Sequence, residues 1–445
     1  MRQAYRLRHP DRGRPGRTGR PALLLLGALL WAGAAGPAAA AGAQAEANEE
    51  NGEEEGEGTT PAVDPDLAEA LAADRAQLEP DRPPAPDPAA ALRRVVPLQR
   101  LNPKISLILD SALAWHSRSQ HIRQAGHAPD DSGFTLQGLE LAASAAVDPY
   151  FRFDLAFELS HLHIEEAYLT TLALPANLQL RAGFFNAVFG RENPLHIHSW
   201  KFANPSLMHT RFLAAEHFAG LGAELSWLAP LPWYLLATVQ VFDSHGRSDL
   251  RSSSFGRVEL TESGQLDGPE DMVYLARLES FFALSPDWSL EVGLSGAWGQ
   301  SPYAPDDRVT LYGSDWYLKW RPISSGRDQL AVALTIEYLL RDTQVPGDSV
   351  RDHGGYLQLD VQPAKRWLLG LRAENVAAMR GVSPDPERLG SWQWRGSAVV
   401  TFLPSHFSKI RLQYDAGRAQ GHGGASHALF LQAEVSAGEH GAHAF

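Results

Sequence analysis

Apolar and polar residues alternate with a period of two from Lys104 almost to the end of the chain. In "FRFDLAFELS" (151–160) the phenylalanines and leucines fall on one face of an extended strand, and the charged residues fall on the other. Most such segments are about 9–13 residues long, whereas strands of soluble proteins average about 5–6. A tilted strand needs about 9–11 residues to cross a bilayer. The alternation therefore predicts an all-β fold with strands long enough to span a membrane.

The alternating segments number sixteen, and the connections between them differ in length. Tight connections such as "LPAN", "APLP" and "QPAK" alternate with longer ones such as 187–219, 244–270 and 342–352. A membrane barrel with short periplasmic turns and longer outer loops predicts an even strand number and this asymmetry. The predicted strands are 104–116, 134–147, 151–160, 165–173, 178–186, 220–228, 233–243, 271–284, 287–299, 308–321, 328–341, 353–363, 366–376, 391–403, 407–416 and 427–437.

A large soluble all-β protein is the alternative fold, because its strands would alternate as well. The strand lengths, the loop asymmetry and the tryptophans near predicted strand ends favour a transmembrane antiparallel β-barrel of about sixteen strands. The chain has no cysteine, which excludes disulfides and thiolate metal sites. Its net charge of −13 argues against nucleic-acid binding. No G-x-S-x-G or H-E-x-x-H motif occurs, so we expect no enzyme activity.

The N-terminal part of the chain predicts export and a linker rather than a folded domain. Residues 1–45 combine an arginine-rich start, the apolar run "ALLLLGALLWAGAA" and small residues typical of a cleaved signal peptide. Residues 46–102 hold a Glu/Gly run and a Pro-rich stretch, a composition typical of a disordered acidic linker. Within it, "DPDLAEALAADRAQLEP" can form a short helix. The barrel is then predicted for residues 103–445, in the cell outer membrane.

The segments "EEAYLTTLALPANLQLRAGFFNAVFGREN" and "HIHSWKFANPSL" resemble the outer-membrane porin superfamily that includes the phosphate-selective porins. The resemblance covers roughly residues 134–230 and implies a channel through which small hydrophilic solutes or ions diffuse, embedded in outer-membrane lipid. It also implies that the third outer loop, 187–219, folds into the barrel as a constriction. Monomer and homotrimer both stay open.

Pore-lining residues follow from the strand faces and from the third loop. The lumen-facing sides of the predicted strands carry fourteen acidic and seven basic residues, a balance whose field favours cations. Paired charges that brace the wall are the alternative role for any one of them. The predicted pore-lining residues are Arg152, Asp154, Glu158, Glu166, Arg181, Arg191, Glu192, Lys201 and Arg211.

Histidine pairs in two outer loops give the alternative function. His161 and His163 precede Glu165, and His196 lies two residues before His198, so the two side chains of each pair point to one side of an extended segment. Imidazole and carboxylate together suit Zn²⁺. Relatives with the H-x-H-x-W form are often labelled zinc-regulated or TonB-dependent outer-membrane receptors. A zinc-linked receptor or transporter that uses these loop histidines is therefore the alternative, although no cofactor is required by the channel prediction.

Overall fold

The computed structural model describes residues 103–118, 122, 126–244, 250–256, 268–303, 307–322, 330–381 and 391–438. The predicted signal peptide (1–45) and acidic linker (46–102) lie outside the described residues, as do residues 439–445. None of the helices in the described ranges is both long and apolar enough to cross a membrane.

The described residues form one closed antiparallel barrel in which every strand pairs with its neighbour in sequence and β16 returns to β1. All sixteen predicted strands are present, so the predicted fold class is confirmed. The strands are β1 (Lys104–His116), β2 (Gly133–Ala146), β3 (Phe151–Glu158), β4 (His163–Thr171), β5 (Leu178–Asn186), β6 (Ala219–Leu228), β7 (Tyr234–Phe242), β8 (Val273–Ala283), β9 (Trp288–Gln300), β10 (Arg308–Trp320), β11 (Ala331–Val345), β12 (Asp348–Ala364), β13 (Trp367–Arg380), β14 (Gln393–Ser405), β15 (Ser408–Ala419) and β16 (Ser426–Gly438).

The barrel is polar inside and apolar outside, the reverse of a soluble protein. Along β11, Thr335, Glu337 and Arg341 point inward and are buried, while Ile336 and Tyr338 point outward and are 41% and 44% exposed. The same alternation runs along the other strands and leaves leucine, valine and aromatic side chains on the outer surface. An outer surface of this kind is stable in lipid rather than in water, because lipid keeps its apolar side chains away from water.

Tryptophans mark the two ends of this apolar band. Trp115 and Trp298 lie near the ends of β1 and β9 on the side of the long loops, and Trp288 and Trp367 lie at the tight-turn ends of β9 and β13. All four are exposed to at least 40%, as expected for side chains at a membrane interface. Trp200 is the exception, because it is buried inside the barrel.

One predicted loop is part of the sheet. Residues 342–352, expected as an outer loop, continue the β11–β12 ladder, and Val345 pairs with Asp348 across a two-residue turn. The turn is Pro346–Gly347, and Gly347 has a φ of +82°, which a proline–glycine turn of type II requires. The polar composition of this stretch concealed the alternation of Arg341, Thr343 and Val345.

We expect an arginine on the outer face to destabilise the barrel. Leu357 lies outward on β12, opposite Ile336, and is 47% exposed. Leu357→Arg should lower the free energy of unfolding by about 2–4 kcal/mol, because the charge must enter lipid. Leu357→Phe is the matched control and should have little effect. Urea titration in lipid vesicles, followed by heat-modifiable gel mobility, measures both. Equal stability of the two variants would contradict a lipid-facing surface.

Candidate functional site: the inserted third outer loop

The segment between β5 and β6, residues 187–218 and here called L3, is closed at its base by one asparagine. Asn193 Nδ2 donates to the carbonyl oxygens of Ala187 (2.7 Å) and Phe218 (3.0 Å), and Asn193 Oδ1 accepts from the Phe218 N–H (2.8 Å). Asn193 is fully buried. One side chain thus satisfies three polar backbone groups and joins the two ends of a 32-residue loop.

Near its start, L3 contacts the wall at β9 and β11. The Gly190 N–H donates to Ser295 Oγ (3.1 Å), and the Arg191 N–H donates to Glu337 Oε1 (3.1 Å). The Arg191 guanidinium pairs with Glu291 and lies 3.8 Å from the centre of the Tyr317 ring. Gly190 has a φ of +65°, and a Cβ there would lie 1.7 Å from Glu337 Oε1, so only glycine fits.

The middle of L3 reaches β13 and β15 on another part of the wall. The Ala203 N–H donates to Gln413 Oε1 (2.7 Å), and Asn204 Nδ2 donates to Asp415 Oδ2 (2.7 Å). Nearby, the Leu207 N–H donates to Glu374 Oε2 (2.5 Å). Wall side chains therefore accept from the loop backbone in the way that a neighbouring strand would.

An apolar cluster fixes the C-terminal half of L3, and the sequence analysis did not predict it. The inward positions of β8–β11 toward their outer ends are apolar, although the strand pattern predicts polar groups there. A short π-helical turn, His209–Leu213, packs onto these positions. The cluster joins Phe189, Leu207, Met208, Phe212 and Leu213 of L3 to Val273, Leu275, Ala297, Val309, Leu311 and Leu339 of the wall.

The predicted metal-binding residues lie beside β2 and β4, where L3 leaves a more open side of the lumen. His196 Nε2 lies 2.9 Å from Glu166 Oε2, and His196 Nδ1 lies 3.5 Å from Glu165 Oε2. His198 Nδ1 lies 3.1 Å from Glu140 Oε2. His163 Nε2 lies 3.7 Å from Glu216 Oε2. His161 is exposed and contacts Ser160 Oγ, and its ring centre lies 5.6 Å from that of His127.

Two imidazoles of L3 differ in proton affinity. Burial alone lowers the pKa of His196, but the carboxylates of Glu165 and Glu166 beside its two ring nitrogens and the charge of Glu140 hold that pKa well above its ordinary value. Burial holds the pKa of His217 well below its ordinary value, and the neighbouring His209 and His196 lower it further. Two imidazoles with ring centres 6.2 Å apart therefore differ strongly in their affinity for a proton.

Two cavities follow one another along this side of the barrel. The larger, of about 260 Å³, is lined by Lys104, Glu140, Asp154, Glu166, Tyr168, His196 and His198 among others. A smaller one of about 20 Å³ is lined by Asp110, His127, Glu158 and Glu165 and also by Glu140 and His198. The shared residues Glu140 and His198 separate the two spaces. The charged residues that line the two cavities are predominantly acidic.

The predicted pore-lining residues fall into two groups. Asp154 and Glu166 line the larger cavity, Arg152 pairs with Asp154 (2.8 Å), and Lys201 lines a further small cavity with Asp360. The other five predicted residues are bonded within the wall or between the wall and L3, although Glu158 also lines the smaller cavity. Glu158 accepts from the Leu139 and Ser160 N–H groups, Arg181 pairs with Glu224, Arg191 pairs with Glu291, Glu192 accepts from the Ser206 N–H, and Arg211 pairs with Asp352.

A closed sixteen-stranded barrel with an apolar exterior and an inserted loop defines a membrane-spanning β-barrel of the outer-membrane class. No protein-family model matches the sequence. The chain belongs to the same family as an uncharacterized protein of Aquifex aeolicus (strain VF5). The two are 31% identical over 362 residues, which cover 71% of this chain and 74% of the Aquifex protein.

Solved outer-membrane proteins resemble the barrel more distantly. OprB of Pseudomonas putida has 9% identity and a TM-score of 0.49, over 78% of this chain and 96% of OprB. An anion-selective porin of Comamonas acidovorans has 8% identity and a TM-score of 0.48, over 76% of this chain and 99% of that porin. The fold assignment rests on the strand pairing of the chain itself.

We expect loss of the Asn193 side chain to release L3 from its closed form. Asn193→Ala removes the partner of the Ala187 carbonyl and of the Phe218 N–H, at a cost of about 1–3 kcal/mol each. The Phe218 carbonyl keeps its hydrogen bond from the Ala187 N–H. Trypsin should then cut at Arg191 or Lys201 in the detergent-solubilised barrel, while the heat-modifiable gel shift persists. The matched control is Asn375→Ala, which removes one exposed amide contact. Equal trypsin resistance of both variants would show that Asn193 does not hold the loop.

Proposed function

We propose that the protein is an outer-membrane channel for small hydrophilic solutes and that L3 is its constriction. The wide lumen of a sixteen-stranded barrel cannot be filled by wall side chains alone. The observation that carries the proposal is that L3 is bonded to separate parts of the wall, at Ser295 and Glu337 on one side and at Glu374 and Gln413 on another. A loop held in this way narrows the lumen.

The remaining route for solutes runs beside β1–β4. The apolar cluster closes the side of β8–β11, whereas the two acidic cavities lie on the opposite side of L3. Glu140, Asp154 and Glu166 face the larger cavity, and Lys104 is the lysine at its edge. In a narrow space the effective dielectric constant is low, so these carboxylates act strongly on passing ions. We therefore infer that the channel prefers cations. We also propose that a signal peptide, residues 1–45, directs export of the protein.

Shortening L3 should widen the channel. Deletion of residues 192–210 removes no strand, so the barrel should fold and single-channel conductance in planar bilayers should rise markedly. A deletion of residues 421–424, in the loop between β15 and β16, is the control and should change conductance little. If the L3 deletion conducts as the unaltered protein does, the loop lies outside the conducting route and the assignment of the constriction fails.

Charge selectivity tests the acidic route. Asp154 is half-buried at the larger cavity and accepts a hydrogen bond from Ser144 Oγ (2.8 Å). Asp154→Asn keeps the shape of the side chain and removes one negative charge. The reversal potential in a KCl gradient should therefore move toward zero, the value for a channel without charge selectivity. Asp342→Asn, at the outer β11–β12 hairpin, is the matched control and should leave the potential unchanged. An anion-selective unaltered protein would contradict the proposed preference.

A further inference from the structure

Imidazole nitrogens without hydrogen-bond partners face carboxylates at the outer end of β4. His127 Nε2 lies 3.5 Å from Glu216 Oε1 and 3.9 Å from Glu165 Oε1, and His163 Nε2 lies 3.7 Å from Glu216 Oε2. Within the part of the chain that the structure describes, neither nitrogen has a hydrogen-bond partner. His127 is only 7% exposed. A buried, unpaired polar atom is unusual in a folded protein and points to a ligand between these groups.

A second group of the same kind lies directly below. His196 Nδ1 is 3.5 Å from Glu165 Oε2 and 3.9 Å from Glu140 Oε2, and it too has no hydrogen-bond partner among the described residues. The other ring nitrogen, Nε2, lies 2.9 Å from Glu166, which also accepts from the Asn186 N–H (2.8 Å). A carboxylate on one nitrogen of histidine orients the other toward a metal in many metal sites.

The separations favour a shared cation over direct hydrogen bonds. Distances of 3.5–3.9 Å between nitrogen and oxygen exceed those of ordinary hydrogen bonds. Two ligands of one tetrahedral Zn²⁺, each bonded at about 2.0–2.1 Å, lie about 3.4 Å apart. The ligand atoms of each group, one from each residue, lie within 4.8 Å of one another. Small shifts of side chains would therefore bring each group into coordination range.

We propose that the barrel binds divalent transition-metal cations of the Zn²⁺ class at two adjoining positions. The outer position uses His127, His163 and Glu216, and the inner position uses Glu140, Glu165 and His196. Glu165 is 5% exposed and joins the two, because Oε1 faces His127 and Oε2 faces His196. Mixed imidazole and carboxylate ligands select such cations over Mg²⁺, which prefers oxygen ligands alone.

The charged groups beside the two positions differ. Arg251 Nη1 lies 3.6 Å from Glu216 Oε2 and shares that oxygen with the outer position. The inner position has three carboxylates, Glu140, Glu165 and Glu166, around the single imidazole of His196. A carboxylate-rich pocket of low exposure is stabilised when a cation enters it. Two separate loops and two strands supply the ligands, so the site exists only in the folded barrel.

The two proposed metal positions lie along the acidic route, so a bound cation would lie within the channel. His127 and Glu165 line the smaller cavity, and Glu140 and His196 line the larger one below it. A bound cation would lie in the route that we propose for solutes. The inference goes beyond the proposed function, because binding of the metal is measured without any flow through the channel.

Zn²⁺ titration of the full barrel in detergent, followed by calorimetry, tests the proposal. The unaltered protein should bind Zn²⁺ at two positions and should bind Mg²⁺ far more weakly. His127→Ala should remove the outer position alone, His196→Ala the inner position alone, and Glu165→Gln should weaken both. Each loss of a ligand should exceed the roughly 10- to 100-fold loss of affinity that follows removal of a second-shell group.

His353→Ala is the matched control, because His353 lies on β12 beside Tyr338 of β11, across the barrel from the proposed metal positions. It should bind Zn²⁺ as the unaltered protein does, and all variants should keep the heat-modifiable gel shift. Unchanged Zn²⁺ affinity in both His127→Ala and Glu165→Gln would overturn the site, as would equal affinity for Mg²⁺. KCl conductance without Zn²⁺ tests the channel separately, so failure of one proposal is distinguishable from failure of the other.

Discussion

The hydrogen bonds between β1 and β16 close the sheet, and the rest of the structure depends on that closure. The ladder runs from Ser106 opposite Gly438 to His116 opposite Ala428, so the sheet has no open edge. In lipid an unpaired strand edge would leave backbone groups without partners, at several kcal/mol each. Closure then fixes which side chains point inward. These side chains form a polar lining, which water can solvate and lipid cannot.

Closure of so wide a sheet also creates the need for L3. The wall carboxylates Glu337 and Glu374 and the amide Gln413 accept from backbone N–H groups of the loop. Arg372, Arg395 and Arg411 donate to its carbonyl oxygens. Charged groups that look like a selectivity lining thus serve as the surface on which an irregular segment is bound. The carboxylates that line the two acidic cavities lie on the other side, near β1–β4.

The strands were predictable from sequence because each one alternates against two fixed environments, lipid and lumen. The hairpin at Pro346–Gly347 was not predicted, because its outward residues lie beyond the apolar band and are polar. The roles of Glu192 and Arg211 were not predictable, because their burial depends on where L3 packs. His127 and Glu216 belong to the histidine group, but no spacing in the sequence predicts this, because they lie in different loops. One sequence feature could have predicted the apolar cluster. Val273, Leu275 and Leu311 are apolar at inward positions, which indicates that an apolar segment packs against them inside the barrel.

The anchoring of L3 constrains how the chain assembles. Ala203 and its partner Gln413 are 210 residues apart in sequence, so the loop cannot complete its contacts until the last strands have joined the sheet. Contacts of such long range form late and slowly, because the closing of a large chain loop precedes any gain from them. A partly assembled barrel would therefore carry the middle of L3 without its partners on β15. The final strand pairing and the seating of this part of the loop become one late step.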